Sequence, residues 1–90
     1  MHENKAKTLI NFKKAVSLLN KVIQMTEDRK YCVDIMQQNL AVMGLLKSAH
    51  HMLLENHLNT CFRNAMAAKN EKLKQEMTDE ILKVTKLTNK

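Results

Sequence analysis

The chain has 90 residues, enough for one domain, and its 15 lysines and arginines against 9 acidic residues give a net charge of +6. Such an excess predicts a polyanionic partner, of which nucleic acid is the commonest. With no proline and one glycine, the composition excludes a turn-rich β fold and predicts an all-α fold. The N-terminus lacks the pattern of a signal peptide, and no apolar run approaches the ~20 residues of a membrane span. We therefore expect a cytoplasmic protein with no membrane partner, whose thiols stay reduced.

The first helix is predicted over about residues 5–25, where apolar residues recur at helical spacing. They are Ile10, Phe12, Ala15, Val16, Leu19, Val22 and Ile23. The polar stretch 26–28 predicts a break, and Asp28 is the expected N-cap of the next helix.

A long second helix is predicted over about residues 29–66, since only Gly44 interrupts its pattern. At 1.5 Å per residue it would be roughly 55 Å long, whereas a compact domain of this size is only about 30 Å across. The part of the second helix that extends beyond the domain needs a packing partner, and a second copy of the chain is the simplest one. The predicted seam of an antiparallel dimer consists of Met36, Leu40, Met43, Leu46 and Leu54. A third helix is predicted over 70–87, with an apolar stripe of Leu73, Met77, Ile81 and Val84.

Both cysteines and one histidine fall on the second predicted helix. His57 is 25 residues after Cys32, and Cys61 is 29 residues after it. At 100° per residue, each returns to within about 20° of the direction of Cys32, while Cys32 lies about 37 Å away along the axis. The three side chains therefore cannot meet within one continuous helix. Two antiparallel copies would bring Cys32 of one protomer beside His57 and Cys61 of the other.

Two thiols and an imidazole are soft and borderline ligands, and three of them suit Cu(I). Structural zinc usually takes four protein ligands. Two other readings stay open: Cys32 and Cys61 as a thiol switch across the interface, or as inert buried residues.

The sequence shows no nucleophile–base pair, glycine-rich phosphate loop or paired carboxylates, so we expect neither an enzyme nor a small-molecule substrate.

The stretch "MTEDRKYCVDIMQQNLAV" and the spacing Cys, 25 on, His, four on, Cys resemble the copper-sensing branch of the CsoR/RcnR family of small helical metal-sensitive repressors. The resemblance covers most of the chain, taken as a single metal-sensing, DNA-binding domain over residues 1–90. It implies three-helix protomers assembled as a dimer of dimers, a homotetramer that binds operator DNA when metal-free. Cu(I) held by Cys32, His57 and Cys61 across two protomers would release the DNA, so that copper efflux and resistance genes are expressed.

The same resemblance implies roles for further residues. Tyr31 matches a tyrosine that works with the ligand histidine and a glutamate of the third helix. Through the match of "DEILKV", that glutamate is Glu80, with Glu76 as the alternative. Lys13, Lys14 and Lys47 are the expected DNA contacts.

The chain departs from the family pattern at two places that concern DNA. Where copper sensors carry "R-I-x-G-Q" in the first helix, this chain has Lys14-Ala15-Val16-Ser17-Leu18, and a basic position of the second helix is Met43. A metal-binding paralogue that no longer binds DNA is therefore one alternative. A Ni(II) or Co(II) sensor that adds His2 to the three ligands is another, since four nitrogen and sulfur ligands suit Ni(II). Zn(II) at the same residues and a persulfide sensor acting through Cys32 and Cys61 complete the alternatives.

Overall fold

A computed structural model describes the backbone of residues 2–88 and the side chains of residues 5–85. Every regular element of that part is helical, which confirms the all-α prediction. The elements are α1 (His2–Glu27), α2 (Cys32–His57), a π-helical turn (Leu58–Phe62), α3 (Arg63–Ala67) and α4 (Glu71–Thr88). Three helical segments result, because α2, the π turn and α3 follow one another without a break. The prediction of one regular α-helix over 29–66 is wrong at the π turn.

The chain divides after Leu53 into two compact units. The first contains α1 and most of α2, and the second contains the end of α2, the π turn, α3 and α4. The expectation of a single domain stays a prediction.

The first unit is an antiparallel pair of helices joined along a seam that has buried alanines at two of its positions. Its least exposed positions recur in steps of three and four, the spacing of a coiled-coil seam. They are Thr8, Asn11, Ala15, Leu18, Val22 and Met25 on α1, and Ile35, Gln38, Val42, Leu45, Ala49 and Met52 on α2. Ala15 and Ala49 are 3% and 0% exposed, and the Asn11 side-chain amide donates to the Ser48 hydroxyl at 3.0 Å across the pair. Small side chains let the two backbones approach closely.

The turn between α1 and α2 is closed by backbone bonds at the end of α1. Arg29 takes a left-handed conformation (φ 54°), the Lys30 N–H donates to the Met25 carbonyl at 2.9 Å, and the Arg29 N–H donates to the Thr26 carbonyl at 3.1 Å. This pair of bonds is a Schellman motif.

Asp28 belongs to this same turn, because its backbone N–H donates to the Gln24 carbonyl and its carboxylate accepts from the Gln24 side chain. The prediction that Asp28 caps the second helix is therefore wrong. Helix α2 begins after Tyr31, whose carbonyl accepts the Ile35 N–H at 3.2 Å.

The two sides of this helix pair differ sharply in polarity. The residues that follow the seam positions by one are mostly large, apolar and exposed, and we call them the apolar flank. They are Leu9, Phe12, Val16, Leu19 and Ile23 on α1, and Met36, Met43, Leu46 and Leu53 on α2. Because the helices run antiparallel, both sets lie on one side of the pair. An exposed apolar patch of this extent marks an interaction surface.

The residues that precede the seam positions by one form the opposite side. On α1 they are Lys7, Ile10, Lys14, Ser17 and Lys21, which we call the basic flank. The helix pair therefore has an apolar side to which both helices contribute and, on the opposite side, lysines contributed by α1.

In the second unit, α4 packs on α3 through the apolar stripe predicted for the third helix. Leu73, Met77, Ile81 and Val84 are half-buried, and Ala65 of α3 is buried. The Asn70 side chain accepts the Leu73 N–H at 3.1 Å and caps the start of α4. The observed range Glu71–Thr88 confirms the predicted third helix to within one residue at each end.

We predict that Ala49→Leu destabilises the first unit, because Ala49 has no exposed surface and the seam has no room for three more carbons. Overpacking of this kind costs about 1–3 kcal/mol in the free energy of unfolding, measured by urea or thermal denaturation. Ala41→Leu is the matched control, since Ala41 is exposed on the same helix and should change stability by less than about 0.5 kcal/mol. Equal effects of the two substitutions would show that the seam is not closely packed.

Candidate metal centre

Cys32 is the first residue of α2 and carries a free, exposed thiol. It lies four residues before Met36, so it continues the apolar flank of the first unit by one helical turn. Tyr31, which precedes it, is 67% exposed. A thiol in this position is accessible from the side of the molecule that the exposed apolar residues occupy.

His57 is the last residue of α2 and belongs to the second unit. It is half-buried and lines a cavity of about 360 Å³ together with Glu80, Ile81, Lys83 and Val84 of α4. Both glutamates considered from the sequence are exposed, but Glu80 lines this cavity and Glu76, one turn earlier on α4, is not among its lining residues. The cavity is therefore lined by three ionisable side chains, His57, Glu80 and Lys83, beside two apolar ones.

Cys61 lies within the π turn and also carries a free, exposed thiol. The direction predicted for Cys61, within about 20° of that of Cys32, requires regular α-helical geometry through residues 58–62. A π turn pairs residues five apart instead of four, so it shifts the direction of each following side chain. The sequence spacing of His57 and Cys61 holds, but their relative direction is set by this turn.

The three candidate ligands do not come together in one chain. Among the described residues of a single copy, no group of three His, Cys, Asp or Glu side chains is placed to hold a metal ion. The chemistry of the three donors still fits a soft metal, since two free thiols and one imidazole carry no competing carboxylate. The site shared between protomers stays a prediction. A linked Cys32–Cys61 pair also stays a prediction. The side chain of His2, the fourth ligand considered for Ni(II) or Co(II), lies outside the described residues.

Three lysines of α1 surround a shallow groove of about 500 Å³ on the basic flank. Its walls are formed by Ile10, Lys13, Lys14, Ser17, Leu18 and Lys21. Lys13 and Lys14 were predicted from the sequence, and Lys47 is exposed on α2. Lys21 was missed. Its signal is the seven-residue repeat of Lys7, Lys14 and Lys21, which places all three on one face of a helix.

No helix among the described residues is long and apolar enough to cross a membrane.

Comparison with known proteins supplies a family. The family model described as a metal-sensitive transcriptional repressor matches residues 4–86. A protein of Mycobacterium ulcerans named copper-sensing transcriptional repressor CsoR is 37% identical over 86 residues, which cover 96% of this chain and 71% of that protein. The protein of the same name from Mycobacterium tuberculosis H37Rv is 44% identical over 48 residues, 53% of this chain and 40% of its own length. Its Bacillus subtilis counterpart is 36% identical over 63 residues, 69% of this chain and 62% of its own length. No solved structure matches the chain significantly.

Proposed function

This chain belongs to the family of metal-sensitive transcriptional repressors, and from that premise we propose that it represses transcription until Cu(I) binds and releases it from operator DNA. The copper would be held by Cys32 of one protomer with His57 and Cys61 of another. Membership in a repressor family confirms the resemblance noted from the sequence and the expectation that the protein is not an enzyme. The genes under its control would be those of copper efflux and resistance.

The observation that carries this proposal is the apolar flank that starts beside Cys32. Its residues are large, apolar and about half exposed, for example Met36 at 54% and Met43 at 55%. A second copy that covers this flank in the antiparallel direction would bring its own His57 toward Cys32, because Cys32 and His57 are the first and last residues of α2. Cys61 would follow from the π turn directly after His57. Of the five predicted seam residues, Met36, Leu40, Met43 and Leu46 are exposed in the single chain, which supports this packing, and Leu54 is half-buried.

Copper is favoured over other metals by the donor set. Thiolate ligands select Cu(I), zinc and iron–sulfur centres, and three donors without a carboxylate suit Cu(I) better than a four-coordinate structural zinc. The names of the relatives, copper-sensing repressors in mycobacteria and in Bacillus subtilis, support the same choice.

Glu80 is the residue we propose to couple metal binding to DNA binding. A ligating histidine uses one ring nitrogen for the metal and donates from the other to a neighbouring oxygen, which fixes the orientation of the ring. His57 and Glu80 line one cavity, so Glu80 is available to accept from the free nitrogen and to transmit the orientation to α4. Tyr31, next to Cys32, would contribute its hydroxyl from the other protomer.

DNA would be bound through the basic flank. Lys13, Lys14 and Lys21 line one groove on α1, and Lys47 adds charge on α2. Lysines act as point charges on phosphates and carry little base-specific geometry. Affinity should therefore come mostly from the sugar–phosphate backbone and depend steeply on salt.

A mixing experiment tests whether the copper site is shared. Cys32→Ser and Cys61→Ser chains, each alone, should lose tight Cu(I) binding because every site lacks one thiolate. In dimers formed between the two variants, one of the two sites regains all three ligands by symmetry. A random mixture should then bind about one copper per four chains, since roughly half the dimers are mixed. Anaerobic Cu(I) titration in native mass spectrometry measures this stoichiometry, and no recovery in the mixture would contradict a shared site.

We predict that Glu80→Gln binds Cu(I) but responds to it weakly. Effector binding typically changes the affinity for a second ligand by about 5–150-fold. The fold change in operator affinity on adding copper, measured by fluorescence anisotropy, should fall toward one in this variant. Glu76→Gln is the control, because Glu76 lies on the same helix and is not among the residues that line the cavity. A normal response in Glu80→Gln with a lost response in Glu76→Gln would reverse the assignment.

Lys21→Gln should weaken DNA binding and make it less dependent on salt. Each lost phosphate contact lowers the slope of log affinity against log salt by about 0.9, whatever the sequence of the DNA. Lys69→Gln, an exposed lysine of the second unit, should leave the slope unchanged. If the two variants shift the slope equally, the groove on α1 is not the contact surface.

A further inference from the structure

The π turn at Leu58–Phe62 contains Cys61 and begins directly after His57. π-helical turns are rare and are found mostly as single turns inside α-helices, often at functional sites. Here the turn begins directly after one candidate ligand, His57, and contains the next, Cys61. It therefore determines the direction in which the Cys61 sulfur points.

Thr60, in the middle of this turn, makes two contacts with its hydroxyl. The hydroxyl donates to the Asn56 carbonyl at 2.7 Å and lies 3.7 Å from the Cys61 sulfur. A hydroxyl has one proton and can donate it to only one of these two acceptors at a time. The Thr60 hydroxyl oxygen therefore lies between the Asn56 carbonyl, just before the π turn, and the Cys61 sulfur within it.

Three other threonines show that the bond to the carbonyl is not by itself special. Thr26, Thr78 and Thr85 each donate to the carbonyl four residues earlier, at 2.7, 2.8 and 2.7 Å, and all three lie in regular α-helix or at its end. Such bonds bend helices slightly. Thr60 differs in lying inside the π turn and against the sulfur of a candidate ligand.

We propose that Thr60 is a positioning residue, whose hydroxyl anchors the π turn to the Asn56 carbonyl and holds the Cys61 sulfur in the direction needed for metal binding. The inference rests on the proposed function, since it assumes that Cys61 is a ligand. A sulfur that binds metal does so as a thiolate, which accepts hydrogen bonds more strongly than a thiol. The hydroxyl orients the sulfur through the turn while it donates to the Asn56 carbonyl, and the bound sulfur is its alternative acceptor.

The test compares Thr60→Val, which keeps the shape but removes the hydroxyl, with Thr60→Ser, which keeps the hydroxyl. Removing a group that orients a metal ligand typically costs about 10–100-fold in metal affinity. Cu(I) affinity, measured by competition with a chromophoric chelator, should fall by this factor in Thr60→Val and return close to the wild-type value in Thr60→Ser. Thr78→Val is the matched control, because it removes the same kind of bond from the regular helix α4.

A second readout uses the metal-free protein. Amide hydrogen exchange over residues 58–63 should become faster in Thr60→Val and return to the wild-type rate in Thr60→Ser, with no change there in Thr78→Val. Thr60→Ala serves as a second hydroxyl-free variant if Thr60→Val does not fold. Unchanged exchange and unchanged affinity in the hydroxyl-free variant overturn the proposal, as does equal loss in Thr60→Val and Thr60→Ser.

The two readouts separate failure of this inference from failure of the proposed function. If the wild-type chain binds no Cu(I) tightly, the proposed function fails, and the role of Thr60 toward a metal fails with it. If the wild-type chain binds Cu(I) and Thr60→Val binds it equally well, only the inference about Thr60 is overturned.

Discussion

The contact of α1 and α2 along their common seam is the constraint on which the other features of the first unit depend. Ala15, Val42 and Ala49 are almost fully buried along this seam. This contact fixes the rotation of each helix about its own axis. Once the rotation is fixed, the residue after each seam position must lie on one side of the pair and the residue before it on the other. The apolar flank and the basic flank are direct consequences of the seam.

This geometry separates the two proposed tasks of the protein in space. Cys32 continues the apolar flank, whereas Lys14 and Lys21 lie on the basic flank. A second copy can therefore cover the apolar side and complete a metal site without covering the lysines that would contact DNA. A chain with lysines and apolar residues mixed on one side could not do both, because burying the interface would also bury unpaired charges at a high cost in free energy.

The helices could be predicted from the sequence because nothing in the chain opposes them. Without proline, and with Gly44 alone inside α2, the apolar periodicity of 3.6 residues decides the structure, and the predicted third helix is correct to one residue at each end. The features that escaped prediction are local to single turns of the chain. Asp28 is of a residue type that is common at N-caps, but it lies in the turn that closes α1, next to the left-handed Arg29. The π turn at 58–62 has no signal in the apolar pattern. That His57 and Glu80 line one cavity depends on packing between elements. The resemblance favoured Glu80, and spacing alone could not separate it from Glu76.

The seam also limits how a signal from Cys32 can reach the lysines. Closely packed interfaces do not deform continuously, and they change by shifting between a few discrete arrangements. With Ala15 and Ala49 buried at the contact, rotation of α2 about its axis would force its larger flanking residues, such as Met43 or Leu46, into the space between the backbones. A shift of α2 at Cys32 must therefore move α1 with it. The spacing of the lysines along α1 is then preserved, while the position of these lysines relative to a second protomer changes. Release of DNA would then follow from moving two intact basic surfaces out of register with the duplex, without unfolding either one.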